Sequence, residues 1–169
     1  MPDFVDRDAC ELLDADHLAV KHLFVEYARL FYAPEGLESG DRLEIATRIC
    51  DELTVHAQIE EEIFYPALRR AAKGATDVVA EAEQEHRQAK FLISQIRELR
   101  TADSTLDQLV ADLARAVEDH VKEERDELFP KARSAPGLDL NALGLQLKER
   151  QAELMQGAAK SAPPGSARQ

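Results

Sequence analysis

Apolar residues recur every three or four positions through four long stretches, the period of an amphipathic helix. The first stretch runs from about Asp8 to Tyr32 and aligns Leu13, His17, Val20, Phe24, Tyr27 and Phe31. The second, from about Asp41 to Lys73, aligns Ala46, Ile49, Leu53, His56, Glu60, Ile63, Phe64 and Ala67. The third, from about Asp77 to Arg100, aligns Val79, Ala82, His86, Ala89, Ile93 and Ile96. The fourth starts near Ser104, where Ser104-x-x-Asp107 reads as a capping box. It carries Leu106, Leu109, Leu113, Val117, His120, Glu124 and Leu128.

Ala33-Pro34-Glu35-Gly36, Gly74 and Ser134-Ala135-Pro136-Gly137 punctuate these stretches. Pro66 and Pro130 fall inside the second and fourth, where each is expected to kink or end the helix. A shorter fifth helix is expected from Asp139 to about Gln156, as a cap on the bundle or an oligomer contact. No segment alternates as a strand would. The pattern predicts an all-α, up-down-up-down four-helix bundle with a short additional C-terminal helix. It forms one domain over residues 1–157, followed by a disordered tail over 158–169, which is small, polar and Pro-containing.

Each of the four stripes carries one histidine. A core-facing stripe covers about 100° of a helix, so a random residue lands there roughly three times in ten. Four of the five histidines landing there by chance is on the order of three in a hundred on that basis. Two of the four open a His-x-x-x-Glu spacing, His56/Glu60 and His120/Glu124, which places imidazole and carboxylate on one helical face. Groups of this kind cannot be buried unpaired. Imidazole with carboxylate suits iron, manganese or zinc.

The chain also repeats itself. At an offset of 64, His56, Glu60 and Pro66 meet His120, Glu124 and Pro130; at an offset of 69, Asp16-His17-x-x-x-Lys21 meets Glu85-His86-x-x-x-Lys90. Two similar helical hairpins would each supply two histidines and one glutamate. That stoichiometry points to two metals, one held by His17 and His56, the other by His86 and His120, with Glu60 and Glu124 bridging. His22, about 140° around the helix from His17, reads as a surface or interhelical residue. Tyr27 and Tyr65 read as packing residues. Lys21 and Lys90 read as stems lying over the core. Among the acids flanking the motif glutamates, Glu61, Glu62, Glu123 and Glu127, one could support a ligating imidazole.

Charge narrows the partners. The formal net charge of -12 disfavours nucleic acid and anionic membrane, which need clustered Lys and Arg. The acidic start lacks the apolar core of a signal peptide, and no apolar run reaches membrane-spanning length, so a cytoplasmic protein is expected. Cys10 and Cys50 fit no disulfide framework or zinc spacing and read as buried, reduced thiols.

The set His17, His56-x-x-x-Glu60, His86 and His120-x-x-x-Glu124 resembles the hemerythrin-like (HHE cation-binding) family over about residues 10–135. Tyr65-Pro66 and Phe129-Pro130 extend the match. The resemblance implies a non-haem di-iron centre, two iron ions bridged by an oxo or hydroxo group. Such a centre binds, senses or turns over a small oxidant: oxygen, peroxide or nitric oxide. Oxygen-carrying hemerythrins have His-x-x-x-His in the third helix; here the second position is Lys90, whose ammonium has no lone pair to donate. One metal is thus a ligand short, which favours redox chemistry, sensing or iron handling over reversible oxygen carriage. A metal-dependent sensor or iron-handling protein without turnover is the alternative, other divalent metals are possible occupants, and the chain would be a monomer or homodimer.

Overall fold

The computed structural model describes residues 7–33 and 39–160. Helix α1 spans Ala9–Phe31 and α2 spans Ser39–Ile59. A π turn over Glu60–Phe64 leads directly into α3, Tyr65–Ala71. A 3-10 turn precedes α4, Thr76–Glu98, and α5 covers Ser104–Glu123. A second π turn, Glu124–Leu128, leads into α6, Phe129–Ser134, and α7 covers Leu140–Lys160. The described residues contain no strand. The α1–α2 and α4–α5 hairpins pack on each other as the predicted four-helix bundle, and α7 lies across α1 and α2. The breaker at Pro34–Gly36 lies outside the described residues, as does the tail from 161; the helix continues through Lys160.

Local chemistry explains the helix ends. Asp8 accepts from the Glu11 amide while the Glu11 side chain reaches back to the Asp8 amide, a reciprocal cap on α1. The cap of α5 is Asp103 rather than the expected Ser104: its carboxylate accepts from the amides of Thr105 and Leu106. Asp107 is not part of the cap. It accepts from the Tyr27 hydroxyl at 2.6 Å and from Arg42 at 2.6 and 2.8 Å.

The two prolines neither stop nor break their helices. A proline ring crowds the carbonyl four residues back and supplies no N–H. The chain answers by widening one turn just ahead of it. The Tyr65 amide bonds to the Glu60 carbonyl, five residues back, and the Phe129 amide does the same to Glu124. Both wide turns begin on the motif glutamate. The extra residue turns Glu60, Phe64 and Tyr65 all inward, each with no exposed surface.

The core divides into two apolar clusters. One gathers Leu13, Phe64, Leu68, Leu128 and Leu147; the other gathers Tyr27, Ile49, Ile93, Leu106 and Leu113. The histidines and glutamates lie in the layer between them. Phe31, on the first predicted stripe, is 48% exposed, because it sits at the last residue of α1 beyond the packed interface. Cys10 and Cys50 are buried free thiols, and burial pushes them up to about 12 and about 11. No helix of the described residues is long and apolar enough to cross a membrane.

The fifth helix is a packed part of the bundle. Leu143 and Leu147 are buried, and Gly144 lets the backbone of α7 approach the start of α1: a Cβ at this position would lie 2.5 Å from the Arg7 carbonyl. Gly144→Ala is expected to lower stability by about 1–3 kcal/mol through overpacking. Gly157→Ala on the same helix, where a Cβ meets nothing, should instead raise it by up to about 1 kcal/mol. Thermal melts of the two variants check the opposite signs.

Candidate metal centre

All six predicted donors meet in the polar layer. His17 comes from α1, His56 from α2, His86 from α4 and His120 from α5, and all four are buried. Glu60 and Glu124 open the two π turns and have no exposed surface. Their donor atoms form two trios, His17 with His56 and Glu124, and Glu60 with His86 and His120, each within 4.8 Å of one another. The carboxylates cross over: each completes the trio built on the histidines of the other hairpin.

The crossing joins the trios. Glu60 Oε1 lies 2.9 Å from His56 Nε2, 3.3 Å from His86 Nε2 and 3.9 Å from His120 Nε2. Glu124 Oε1 lies 2.9 Å from His120 Nε2 and 3.2 Å from His17 Nε2. The Nε2 atoms of His86 and His120 are 3.1 Å apart. The four Nε2 atoms therefore face one shared space.

A carboxylate stands behind each imidazole. His17 Nδ1 is 3.2 Å from Asp14 and His56 Nδ1 is 3.0 Å from Asp16, both hydrogen bonds. His86 Nδ1 is 3.5 Å from Glu61 and His120 Nδ1 is 3.6 Å from Glu85, looser contacts. A carboxylate at Nδ1 favours the proton there and leaves the Nε2 lone pair for a cation. Only Glu61 of the flanking acids anticipated for this role fills it among these four. Asp14, Asp16 and Glu85 were not anticipated. Asp16 and Glu85 were visible as duplicated neighbours of histidines, but each serves a histidine on a different helix, so adjacency pointed to the wrong partner.

The carboxylates in turn have unlike neighbours. Arg125 holds Asp14 at 2.8 Å, and Lys90 holds Glu61 at 2.7 and 2.8 Å. The Gln151 amide meets Asp16. Glu85 faces Glu123, whose carboxyl is pushed up to about 8 by burial and by the Glu85 and Glu81 carboxylates. Lys90 thus acts behind His86, through Glu61. His22 is exposed, away from the centre. Tyr65, read as packing, reaches the centre: its hydroxyl is 3.2 Å from His86 Nε2. Burial and the surrounding carboxylates hold that phenol well above its ordinary range. Its counterpart under the duplication is Phe129, which stacks on His17 with ring centres 6.1 Å apart.

The donor set fits a cation. Both oxygens of Glu60, Oε2 of Glu124 and Nε2 of His56 are buried without a hydrogen-bond partner among the described residues. Orphaned buried carboxylate oxygens are costly unless a positive charge meets them. A cavity of about 40 Å³ adjoins the four imidazoles, walled by Leu53, Ala57, Ile93 and Val117. About 10–15 Å³ holds one water by this measure, so the space suits a guest of two or three heavy atoms. A wider groove of about 550 Å³ between α1 and α5 reaches His17 from solvent.

A model of the hemerythrin HHE cation-binding domain matches residues 8–132. The chain belongs to this family. Among solved structures, this HHE domain is similar to a hemerythrin HHE cation-binding domain-containing protein from Mycobacterium kansasii. The TM-score is 0.73 at 24% identity, covering 91% of each chain, a likeness of fold. Among curated proteins, it is 30% identical over 130 residues to one named DNA nickase from Nostoc sp. (strain PCC 7120). That match takes in 76% of this HHE domain protein but spans only 34% of the Nostoc protein's length.

The centre has a pH signature in metal-free protein. Burial alone disfavours a charged His56, but Glu60, Asp16 and Glu124 outweigh it and raise the imidazole from 6.5 to about 10. A raised imidazole stabilises the fold fully below its unfolded value, and this contribution is lost as pH rises through the folded value. The melting temperature of metal-stripped protein should therefore fall between pH 6.5 and about 10. His56→Gln should flatten part of that fall; an unchanged slope in the variant would show that His56 is not the group responsible.

Proposed function

We propose that this chain is a non-haem di-iron protein that binds, senses or turns over a small oxidant such as oxygen, peroxide or nitric oxide. The observation that carries this reading is the buried pair Glu60 and Glu124, three of whose four oxygens lack a hydrogen-bond partner among the described residues while four imidazole Nε2 atoms face them. His17, His56 and Glu124 would hold one iron, and His86, His120 and Glu60 the other. The short distances from each glutamate to histidines of both hairpins favour carboxylates shared between the two positions. Bound iron would supply one-electron chemistry and coordination positions open to a small ligand.

The chain's own side chains set what can approach. The largely apolar walls of the 40 Å³ cavity limit what fits beside the imidazoles to a small guest, while the wider groove gives solvent access at His17. Asp14 and Asp16, hydrogen-bonded to Nδ1 of His17 and His56, fix those rings and raise their basicity, while Glu61 and Glu85 stand at 3.5 and 3.6 Å from His86 and His120. Tyr65 stands beside His86 in the helix pair whose expected second histidine is Lys90. Its buried hydroxyl, 3.2 Å from His86 Nε2, is an additional donor at the centre, able to give a proton or, once ionised, an oxygen ligand. Lys90 contributes at one remove, by pairing with Glu61, whose carboxylate lies 3.5 Å from His86 Nδ1. The name DNA nickase belongs to a longer relative. The acid excess of this chain supports a small-molecule partner over nucleic acid.

Expression with ample iron should give about two iron atoms per chain, and His56→Leu and His120→Leu should each hold one or none. Stopped-flow mixing of the loaded, reduced protein with peroxide or nitric oxide should change its visible spectrum faster than free iron at equal concentration. Iron-free parent protein, or leucine variants with parental iron content, would reject the assignment.

A further inference from the structure

The family match ends at residue 132, and α7 begins at Leu140. Yet α7 touches the chain of contacts behind the metal centre. The Gln151 side-chain amide donates to both oxygens of Asp16, at 3.0 and 2.9 Å. Asp16 Oδ2 accepts from His56 Nδ1 at 3.0 Å. His56 Nε2 faces Glu60 at 2.9 Å. An unbroken line of polar contacts thus runs from the C-terminal helix to a candidate ligand.

We propose that Gln151 is a positioning residue for His56, through Asp16, and that it makes the two metal positions unequal. This rests on the di-iron reading above. Asp16 alone could rotate about its side-chain torsions, since its own helix gives it no second partner in the structure. With both oxygens engaged by one amide, it presents Oδ2 to His56 in a fixed direction, and His56 presents Nε2 to the centre. The duplication supplies the internal comparison. Glu85 occupies the place of Asp16 behind His120, but it faces the carboxyl of Glu123 instead of an amide, and its contact with His120 is 0.6 Å longer (3.6 against 3.0 Å). The His17/His56/Glu124 position is thereby the more firmly built of the two with respect to its α2 histidine. Arg150, the neighbour of Gln151, bonds Glu62 and does not touch Asp16.

The test uses the full chain loaded with iron and titrated with a competing chelator, counting iron per chain. Gln151→Met keeps length and removes the donor. It should lose one of its two irons at a chelator concentration severalfold, up to about tenfold, lower than the parent does, tenfold being the lower end of the scale for removing the histidine's own partner, here Asp16. The other iron should leave as it does in the parent. The melting temperature of the stripped protein should stay close to parental. Arg150→Met, which cuts the neighbouring α7 contact, should retain iron like the parent. Parental retention in Gln151→Met would overturn the proposal, as would equal loss in Arg150→Met or a matching fall in the stripped-protein melting temperature, since these would reflect helix docking alone. A parent chain that binds no iron would instead sink the di-iron reading itself, a result readily told apart from the others.

Discussion

Two carboxylates with no exposed surface, Glu60 and Glu124, govern this structure. A buried anion is tolerated only beside positive charge or a full set of donors. Here the surrounding groups are four imidazoles, whose lone pairs and protons can be exchanged for a cation. That layer lies between two apolar clusters. The wide turns ahead of Pro66 and Pro130 point the glutamates inward, the outer carboxylates orient the imidazoles, and α7 closes over the α1–α2 side.

The duplication is most exact where the metal chemistry requires it and decays outward. The inner set is matched across the two hairpins, residue for residue. Behind it the partners diverge: arginine, lysine, an amide and a second carboxyl, Glu123, stand at the four corners. Tyr65 and Phe129 differ by a single hydroxyl, and that hydroxyl reaches His86. A pseudo-symmetric cage with unsymmetric supports gives each position its own electrostatic surroundings without altering the donors.

The period of the apolar residues was enough to read the helices and the stripe on which each donor lies, because helical spacing alone decides which residues share a face. The pairing of hairpins followed from the repeat. What escaped was information carried between elements. Asp16 and Glu85 are adjacent in sequence to one histidine and in space to another. Tyr65 points inward only because the wide turn adds a residue before it, and proline alone signals a disturbance without saying whether the helix stops or swells. Asp103, not Ser104, caps α5, and Asp107 pairs with Tyr27 and Arg42 across the bundle. Local patterns locate such residues but do not choose their partners.

Anomalous diffraction from crystals of the iron-loaded protein, measured on either side of the iron absorption edge, addresses the central claim directly. The account predicts two peaks per chain, one within His17, His56 and Glu124 and one within Glu60, His86 and His120. An empty layer with iron elsewhere, or with no iron at all, would contradict it.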